Sequence, residues 1–555
     1  MKKVFRATSM AVVLSLTAGL TSPITGWVAT SSAAEQEKEF IPYYGTGPSY
    51  VQPDNISYLF PKPDVTFNTP AFQKDKVPFT SQEEMMGLLQ KLAYKNKNAK
   101  LTILGKSQEG RDIPLLLFSK DHHKKGKSHK KKPLVWVQSQ IHGNEPAAGE
   151  SALVLAQWLA EGKLGNVLDK VDVAIVPRVN PDGSYYFKRT VANNNDANRD
   201  FMKVEYPEVQ LIHKAINAYQ PEVVLDAHEY TVNPSPLKQF GEKGSIASYD
   251  LLISSAKNLN IPEKLRKESD NLLLPKVNKT LDKENLSHHD YYTLAMEGDK
   301  LVATEGSTET RIGRNALGLK NTFTYLIETR GINIGRADFE RRVYAQVVAQ
   351  SSFIKNTADN ADKVQKAVAE ARAEVIIKGK RANDDDKIVV TSENKQISDQ
   401  KLEVVDLAKA AKTDIPIVWA DSTEAYPTLE RERPTAYILP PGPGHDDVAK
   451  KLQILGVRVE KLKKPAVLPV ESYEVTSSTV SDGTNTVTTE VNEKTHSFPA
   501  GSYVFSMAQQ NANFIALALE PESVDSYVTY NFISAKKGDE LPVYRYMQGK
   551  QPKTN

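Results

Sequence analysis

Short apolar runs alternate with amphipathic stretches along the middle of the chain. The runs "PLVWVQSQIHG", "VDVAIVPRVNPDG", "EVVLDAHEY" and "FTYLIETRG" are apolar or rich in β-branched residues, which is typical of buried strands. Between them, "GESALVLAQWLAEG" and "YPEVQLIHKAINAYQ" have the apolar spacing of helices. This alternation predicts an α/β fold in which helices pack on the faces of a sheet.

The regular pattern has recognisable limits. It begins near residue 80, where "TSQEEMMGLLQKLA" predicts a capped helix and "KLTILGKSQEGRDIPLLLFSK" predicts two strands around a turn. Residues 35–79 are rich in Pro, Gly, Asn and Tyr without a clear period, which indicates an irregular segment. A charged break, "VIIKGKRANDDDKIVV", interrupts the pattern again. We therefore predict one α/β domain over residues 80–375 and a linker over 376–389.

A second set of elements follows the linker. The stretch "TAYILPPGPGHDDVAKKLQILGVRVEKLKKP" predicts a strand, a helix and a strand, and "SYEVTSSTVSDGTNTVTTEV" predicts a long hairpin that turns at Asp482 and Gly483. The stretch "PAGSYVFSMAQQNANFIALALEPES" then predicts a strand and an apolar helix. Together they predict a C-terminal accessory α/β domain over residues 390–550.

Composition and the first residues bear on class and location. The net charge of +3 is small for 555 residues and argues against a nucleic-acid binder with a broad basic face. Lys2, Lys3 and Arg6 precede an apolar stretch that is too short to span a bilayer, and small residues follow up to Ala34. This is the layout of a secretory signal, so we predict a signal peptide over 1–34 and a secreted protein.

The absence of cysteine restricts any metal site to His, Asp and Glu ligands. Three predicted strands end in such residues: His142 with Glu145, Asp226 with His228, and Glu328. Ligands of open α/β sheets bind beyond the carboxyl ends of the strands, so we expect these side chains to share one crevice. Two His and one Glu are a usual ligand set of catalytic zinc. The pattern therefore predicts one Zn²⁺ at His142, Glu145 and His228.

The motifs "HGNE", "NPDGS", "DANRDF", "DAH" and "IETRG", in this order, resemble those of the zinc metallocarboxypeptidases of the carboxypeptidase A type. The resemblance covers roughly residues 80–375 and points to a secreted bacterial member. It implies a mixed sheet flanked by helices and a Zn²⁺ held by the three ligands named above. It also implies roles for four further residues: Glu328 as the catalytic glutamate, Asn198 and Arg199 as the pair that grips the terminal carboxylate of a peptide, and Arg189 as the arginine that faces the scissile carbonyl in the shorter bacterial members.

The chemistry of peptide hydrolysis gives these residues separate tasks. Zinc lowers the pKa of bound water, and a carboxylate that is not a ligand, Glu328, can accept the water proton and pass it to the leaving amine. Arg189 can stabilise the negative oxygen, although Lys188 could serve instead. Arg199 can bind a carboxylate in bidentate fashion, but it could also form only a surface ion pair with Asp200. Likewise, Glu328 could merely form an ion pair with Arg330. We expect a secreted zinc carboxypeptidase that hydrolyses C-terminal residues from peptides.

One stretch departs from the longer animal-type enzymes. Those enzymes have a mobile tyrosine shortly before the catalytic glutamate, but "GSTETRIGRNALGLKNT" contains none. Tyr291 and Tyr292 lie upstream, too distant in sequence to assign. Arg311 and Arg314 in the same stretch either read an acidic residue of the substrate or lie on an exposed loop.

The sequence allows alternatives for one surface segment and for the substrate. The Lys- and His-rich segment 119–133 is either a solvated hairpin tip or a weak contact with an anionic cell-wall polymer. The substrate is either a peptide or a peptidoglycan-derived peptide, in which case the protein would be a stem-peptide amidase or endopeptidase of the same family. An inert, wall-associated binding protein is the third alternative.

Overall fold

The computed structural model describes residues 39–120, 131–382, 384–549, 552 and 554. The predicted signal peptide lies outside the described residues, as do residues 121–130 of the Lys- and His-rich segment. The body that follows is formed by Phe40–Asn555. Of the helices in the described ranges, none is both long and apolar enough to cross a membrane.

The strands of this body are, in chain order, β1 (Ala99–Lys106), β2 (Asp112–Phe118), β3 (Leu134–Ser139), β4 (Asp172–Val176), β5 (Val223–Thr231), β6 (Ser245–Ala247), β7 (Leu251–Ser255), β8 (His288–Asp290), β9 (Thr293–Glu297), β10 (Lys300–Thr304), β11 (Phe323–Ile332), β12 (Lys387–Asp406), β13 (Ala411–Glu432), β14 (Ala436–Leu439), β15 (Glu460–Lys461), β16 (Ala466–Ser481), β17 (Thr484–Phe498), β18 (Tyr503–Ser506) and β19 (Glu540–Tyr546).

The α-helices are α1 (Gln82–Lys95), α2 (Pro146–Ala160), α3 (Pro181–Tyr186), α4 (Pro207–Tyr219), α5 (Glu263–Glu268), α6 (Leu274–Lys283), α7 (Gly313–Gly318), α8 (Phe339–Asp359), α9 (Ala361–Lys378), α10 (His445–Ile454) and α11 (Ala512–Leu519). The predicted helix near residue 80 is confirmed as α1. Its first turn is fixed by a capping box, in which the side chains of Ser81 and Glu84 each accept a hydrogen bond from the other residue's backbone N–H.

The central sheet has the strand order β1-β2-β4-β3-β5-β11-β7-β8. Strands β4, β3, β5 and β11 run parallel, whereas β1, β2 and β7 make antiparallel pairs. The predicted mixed α/β sheet is therefore confirmed. Every residue of β3 is buried, because helices such as α2 and α8 cover the sheet. The parallel arrangement brings the carboxyl ends of β3, β5 and β11 to one edge.

The second sheet has the order β6-β12-β13-β10-β9 and crosses the predicted linker. Strands β12 and β13, which follow the linker, pair with β6 and β10, which precede it. Helix α9 also continues into the linker as far as Lys378. The division into domains at 376–389 stays a prediction, but hydrogen bonds join the two regions directly.

The third sheet has the order β15-β18-β14-β19-β16-β17 and is built only from residues after the linker. Its longest pair, β16 and β17, is the predicted hairpin, which is confirmed. Asp482 and Gly483 have φ angles of 50° and 78°, and positive φ at both turn residues is what a tight hairpin of this twist requires. With α10 and α11, this sheet forms the C-terminal part of the protein.

Candidate active site

The predicted metal ligands come together at the carboxyl edge of the central sheet. His142 and Glu145 lie in the turn between β3 and α2, where Pro146 begins the helix. His228 lies on β5, directly opposite Glu328 on the parallel strand β11. Ligand atoms of His142, Glu145 and His228 lie within 4.8 Å of one another, and all three residues are buried.

The distances within this cluster fit one metal ion. His142 Nδ1 lies 2.6 Å from Glu145 Oε1, and His228 Nδ1 lies 3.0 Å from Glu145 Oε2. The two Nδ1 atoms are 3.2 Å apart. Ligands at about 2.0–2.2 Å from a tetrahedral zinc lie about 3.3–3.6 Å from one another. The donors thus need only a small outward movement, and two nitrogens with one carboxylate are a ligand set that zinc prefers.

The charges in the cluster also favour a cation. Burial opposes ionisation of Glu145, but His142 and His228 outweigh it and lower the pKa of its carboxyl to about 2. Burial likewise opposes a charge on His228, yet Asp226 and Glu145 raise the pKa of its imidazole well above the usual value. The cluster therefore stabilises positive charge at the point where the three ligands meet.

Two further carboxylates, those of Asp196 and Asp226, lie behind the imidazoles, on the side away from the point where the ligands meet. His142 Nε2 lies 3.1 Å from Asp196 Oδ1, and His228 Nε2 lies 3.4 Å from Asp226 Oδ1. Asp196 lies at hydrogen-bond distance from His142, and a carboxylate in this position orients a ligating imidazole and increases its basicity. Asp226 acts on His228 through its charge, because His228 Nε2 has no hydrogen-bond partner among the described residues. Asp226 is two residues before His228 on one strand, so period-two alternation could have identified it. Asp196 opens the "DANRDF" motif, but only the fold brings it to His142.

Glu328 is a carboxylate without an ion pair among the described residues. It is 9% exposed and lines the cavity described below. Burial raises the pKa of Glu328 to about 7, since the opposing effect of His228 is partly offset by the negative Glu145. The nearby Arg330 instead binds Asp338, at 2.7 Å. The alternative that Glu328 serves only as a partner of that arginine therefore does not match the structure.

Arg189 is the arginine beside the cluster. Its Nε donates a hydrogen bond to Asp196 Oδ2 at 3.0 Å, and its Nη1 lies 3.6 Å from Glu145 Oε1. Asp196 thus bridges His142 and Arg189. Lys188, the alternative in sequence, lies over the ring of Tyr186, 5.9 Å from its centroid.

Asn198 and Arg199 lie in a short 3-10 helix, Ala197–Arg199, whose N-cap residue is Asp196. Asn198 is held by two hydrogen bonds: its backbone N–H donates to Asp196 at 2.8 Å, and its side-chain oxygen accepts from Gly313 N at 2.7 Å. The side chain of Arg199 is 48% exposed, and its nearest carboxylate, Asp196, is 4.0 Å away. The neighbouring Asp200 accepts backbone N–H groups instead.

These groups line one cavity of about 450 Å³. Its polar lining includes His142, Arg189, Asn198, Arg199, Tyr291, Tyr292, Arg314 and Glu328. The two tyrosines reach it because β8, just before them, pairs with β7 at the edge of the central sheet. The position of the two tyrosines in the cavity could not be predicted from the sequence, because the pairing of β7 with β8 joins distant residues and leaves no local pattern. The site combines a buried ligand set for one metal, a carboxylate that is not a ligand and a polar cavity. These features define the class of single-metal hydrolases.

A family model and two relatives similar in sequence agree with this class. The family model described as Zinc carboxypeptidase matches residues 85–360. The chain is 35% identical over 477 residues to Carboxypeptidase 2 of Trichophyton rubrum, covering 84% of this chain and 86% of the relative. It is 35% identical over 479 residues to Carboxypeptidase 2 of Trichophyton equinum, with the same coverages of 84% and 86%. A solved metallo-carboxypeptidase from Burkholderia cenocepacia is 18% identical with a TM-score of 0.39, covering 51% of this chain and 70% of that chain.

The chain therefore belongs to the zinc carboxypeptidase family. Enzymes of this family hydrolyse peptide bonds and use Zn²⁺, and the cluster of His142, Glu145 and His228 can bind such an ion. The predictions of family, reaction class and cofactor are confirmed.

Proposed function

We propose that this chain removes residues one at a time from the free C-termini of peptides, with one Zn²⁺ held by His142, Glu145 and His228. The observation that carries this proposal is the shared cavity: His142, one of the three buried ligands, lines the same space as Asn198 and Arg199, the side chains proposed to bind a carboxylate. A peptide end held by that pair places its last peptide bond near the ligand cluster.

The proposed reaction forms a bond between a water oxygen and the carbonyl carbon and breaks the bond from that carbon to nitrogen. A bound Zn²⁺ supplies Lewis acidity, which polarises the carbonyl and makes water a better nucleophile. Glu328 accepts a proton from the attacking water and delivers it to the leaving nitrogen. Glu328 suits both transfers because it lines the cavity and has no ion pair among the described residues that would hold its carboxylate away from water.

Arg189 is proposed to stabilise the negative charge that develops on the carbonyl oxygen. Asp196 accepts a hydrogen bond from Arg189 Nε and so holds its guanidinium beside the cluster, while a 40% exposed side chain keeps it accessible to substrate. Asn198 and Arg199 bind the terminal carboxylate. A charge-assisted hydrogen bond of this kind contributes about 1.5–3 kcal/mol, enough to favour exopeptidase over internal cleavage.

We also propose that the enzyme is a secreted, bacterial member of the family. The basic, apolar and small-residue layout of residues 1–34 supports export. The Lys- and His-rich segment 119–133 would then meet an anionic cell wall, which makes weak association with it part of the same proposal. N-terminal sequencing of the exported protein is expected to begin near residue 35, and a mature protein that starts at Met1 would contradict export.

A panel of peptides read by mass spectrometry tests the activity. Free C-termini are expected to lose single residues, and C-terminally amidated peptides are expected to react much more slowly. Arg199→Ala should reduce the preference for free over amidated peptides while retaining the metal.

The same panel contains D-amino-acid stem peptides. Cleavage of these alone would favour a peptidoglycan stem-peptide hydrolase, and internal cleavage that ignores the terminal carboxylate would exclude a carboxypeptidase. A metal-loaded protein that cleaves none of the peptides would be a binding protein.

A further inference from the structure

Arg314 is a buried cation that faces the substrate cavity. It lies in α7, is 1% exposed and lines the same 450 Å³ cavity as Glu328. Its Nη2 donates a hydrogen bond to the Ser307 carbonyl at 3.0 Å. Its Nε and Nη1 have no hydrogen-bond partner in the described part of the chain.

No carboxylate of the described residues lies within ion-pair distance of Arg314. Its nearest aromatic neighbour is Tyr291, whose ring centroid lies 5.6 Å from the guanidinium carbon. Two other buried arginines do have a carboxylate partner: Arg342 pairs with Glu229 at 2.7 Å, and Arg341 pairs with Asp250 at 2.6 Å. The buried Arg178 has none among the described residues, but its Nε, Nη1 and Nη2 all donate hydrogen bonds. An unpaired buried charge is costly, so Arg314 forms a prepared site for an anion.

Glu305, Glu328 and Asp226 act on Arg314 electrostatically, but none lies within ion-pair distance of it. Glu305 lies 3.6 Å from Lys257, and Asp226 lies 3.4 Å from His228. Glu309 lines the cavity but accepts hydrogen bonds from Arg311, and Glu229 is bound by Arg342. Glu328 is the third acidic lining residue, and its proposed role requires contact with water. The anion that Arg314 is shaped to receive must therefore enter with the substrate.

Three arginines line the cavity, and because Arg189 is proposed to stabilise the carbonyl oxygen, Arg199 and Arg314 are the two that can receive substrate carboxylates. Arg199 is half-exposed and lies next to Asn198, so it suits the main-chain carboxylate at the peptide end. Arg314 is almost fully buried and suits a group that extends further into the protein. A peptide with an acidic last residue carries a carboxylate for each of them.

We propose that Arg314 binds the side-chain carboxylate of the substrate's C-terminal residue, so that the enzyme prefers peptides ending in Glu or Asp. This inference rests on the proposed carboxypeptidase function. The sequence allowed Arg311 and Arg314 either to read an acidic residue of the substrate or to lie on an exposed loop, and the proposal selects the first alternative for Arg314.

Arg311 differs from Arg314 and supplies the matched control. Its guanidinium binds Glu309, with Nε at 2.9 Å from Oε2, and its backbone N–H donates to Asp525 at 2.9 Å. It is partly exposed and does not belong to the cavity lining. A charge change at Arg311 is therefore expected to leave side-chain preference as it is.

Two peptides that differ only in a C-terminal Glu or Gln test the proposal, because the two side chains have nearly the same size. The wild-type enzyme is expected to cleave the Glu peptide with a kcat/KM about 10- to 100-fold higher, the range for hydrogen bonds to a charged group. Arg314→Gln should bring this ratio close to one, Arg314→Lys should retain part of it, and Arg311→Gln should preserve it.

Two kinetic outcomes would overturn the proposal and leave the carboxypeptidase function intact. One is a wild-type enzyme that cleaves Gln, Leu or Phe ends as fast as Glu ends. The other is an Arg314→Gln variant that loses activity equally on both peptides, which would assign Arg314 to the main-chain carboxylate.

Binding separates the specificity question from turnover. Titration calorimetry with the Glu328→Gln enzyme measures the affinity of both peptides whether or not the protein is catalytic. Binding of the Glu peptide at least about tenfold more tightly supports the proposal, since this is the lower end for one charged hydrogen bond. Equal affinities would refute it. If the wild-type enzyme cleaves neither peptide while the Glu328→Gln enzyme binds the Glu peptide more tightly, the result contradicts the proposed carboxypeptidase function and leaves the proposed role of Arg314 intact.

Discussion

Asp525, in the C-terminal part of the protein, accepts hydrogen bonds from the segment that carries Arg314. The Asp525→Ala variant tests how much these hydrogen bonds contribute to stability and to substrate binding. Asp525 is fully buried. Its Oδ2 accepts hydrogen bonds from Thr310 N at 2.6 Å, Thr310 Oγ1 at 2.9 Å and Arg311 N at 2.9 Å. Its Oδ1 accepts another from the Tyr530 hydroxyl at 2.6 Å. Alanine removes all four acceptor contacts at once.

The expected loss of stability follows from the buried donors. A buried donor left without an acceptor costs about 1–3 kcal/mol. The four contacts are not additive, and water entering the cavity left by the carboxylate satisfies some donors, so we expect a loss of about 3–5 kcal/mol. A domain is stable by only about 5–15 kcal/mol, so this loss is large. The segment from Thr310 to Arg314 should also lose order, which predicts a higher KM for peptide substrates.

Urea unfolding followed by tryptophan fluorescence, together with steady-state kinetics, measures both effects. Asp525→Asn retains one acceptor oxygen and should fall between the wild type and the alanine variant. Asp299→Ala, at an exposed position in the turn between β9 and β10, is the control and should change stability by less than about 0.5 kcal/mol. A loss below about 1 kcal/mol for Asp525→Ala, with KM unchanged, would show that the hydrogen bonds to Asp525 do not hold this segment in place.

Three further predictions concern the metal, the proton transfer and the pH dependence of stability. His142→Ala should lose bound zinc by metal analysis, whereas His496→Ala in the third sheet should retain it; equal metal in both would refute the ligand assignment. Glu328→Gln should keep metal and fold but lose at least about 100-fold in kcat, the lower range for general-base catalysis, and wild-type turnover would identify another base. Burial lowers the pKa of Lys320 to about 7, below its unfolded value of about 10.4, so the native state binds fewer protons. Lys320 therefore destabilises the native state fully below pH 7, and this effect is relieved as the pH rises toward 10. The unfolding free energy of the wild type should rise between pH 7 and 9, and Lys320→Met should reduce that rise.

Much of the fold and the ligand set could be predicted from the sequence because the signals are local. The apolar runs of β3, β5 and β11 and the helical spacing of α2 and α4 depend on neighbouring residues only. The turn at Asp482 and Gly483 is likewise a two-residue signal. Reactive residues at the ends of parallel strands necessarily meet, which is why His142, His228 and Glu328 could be placed in one crevice.

Only the tertiary structure decided which distant segments meet at that crevice. Tyr291 reaches the cavity through the pairing of β7 with β8, and Asp196 reaches His142 through the loop after α3. The pairing of β12 and β13 with β10 and β6 joins chain regions that their local composition separates. Arg311 and Arg314 are three residues apart and equal in charge, yet Arg311 is paired and partly exposed, whereas Arg314 is buried and has no counter-ion among the residues that the structure describes. Strand pairing and burial depend on contacts between residues far apart in the chain, and the periodicity within one segment does not predict those contacts.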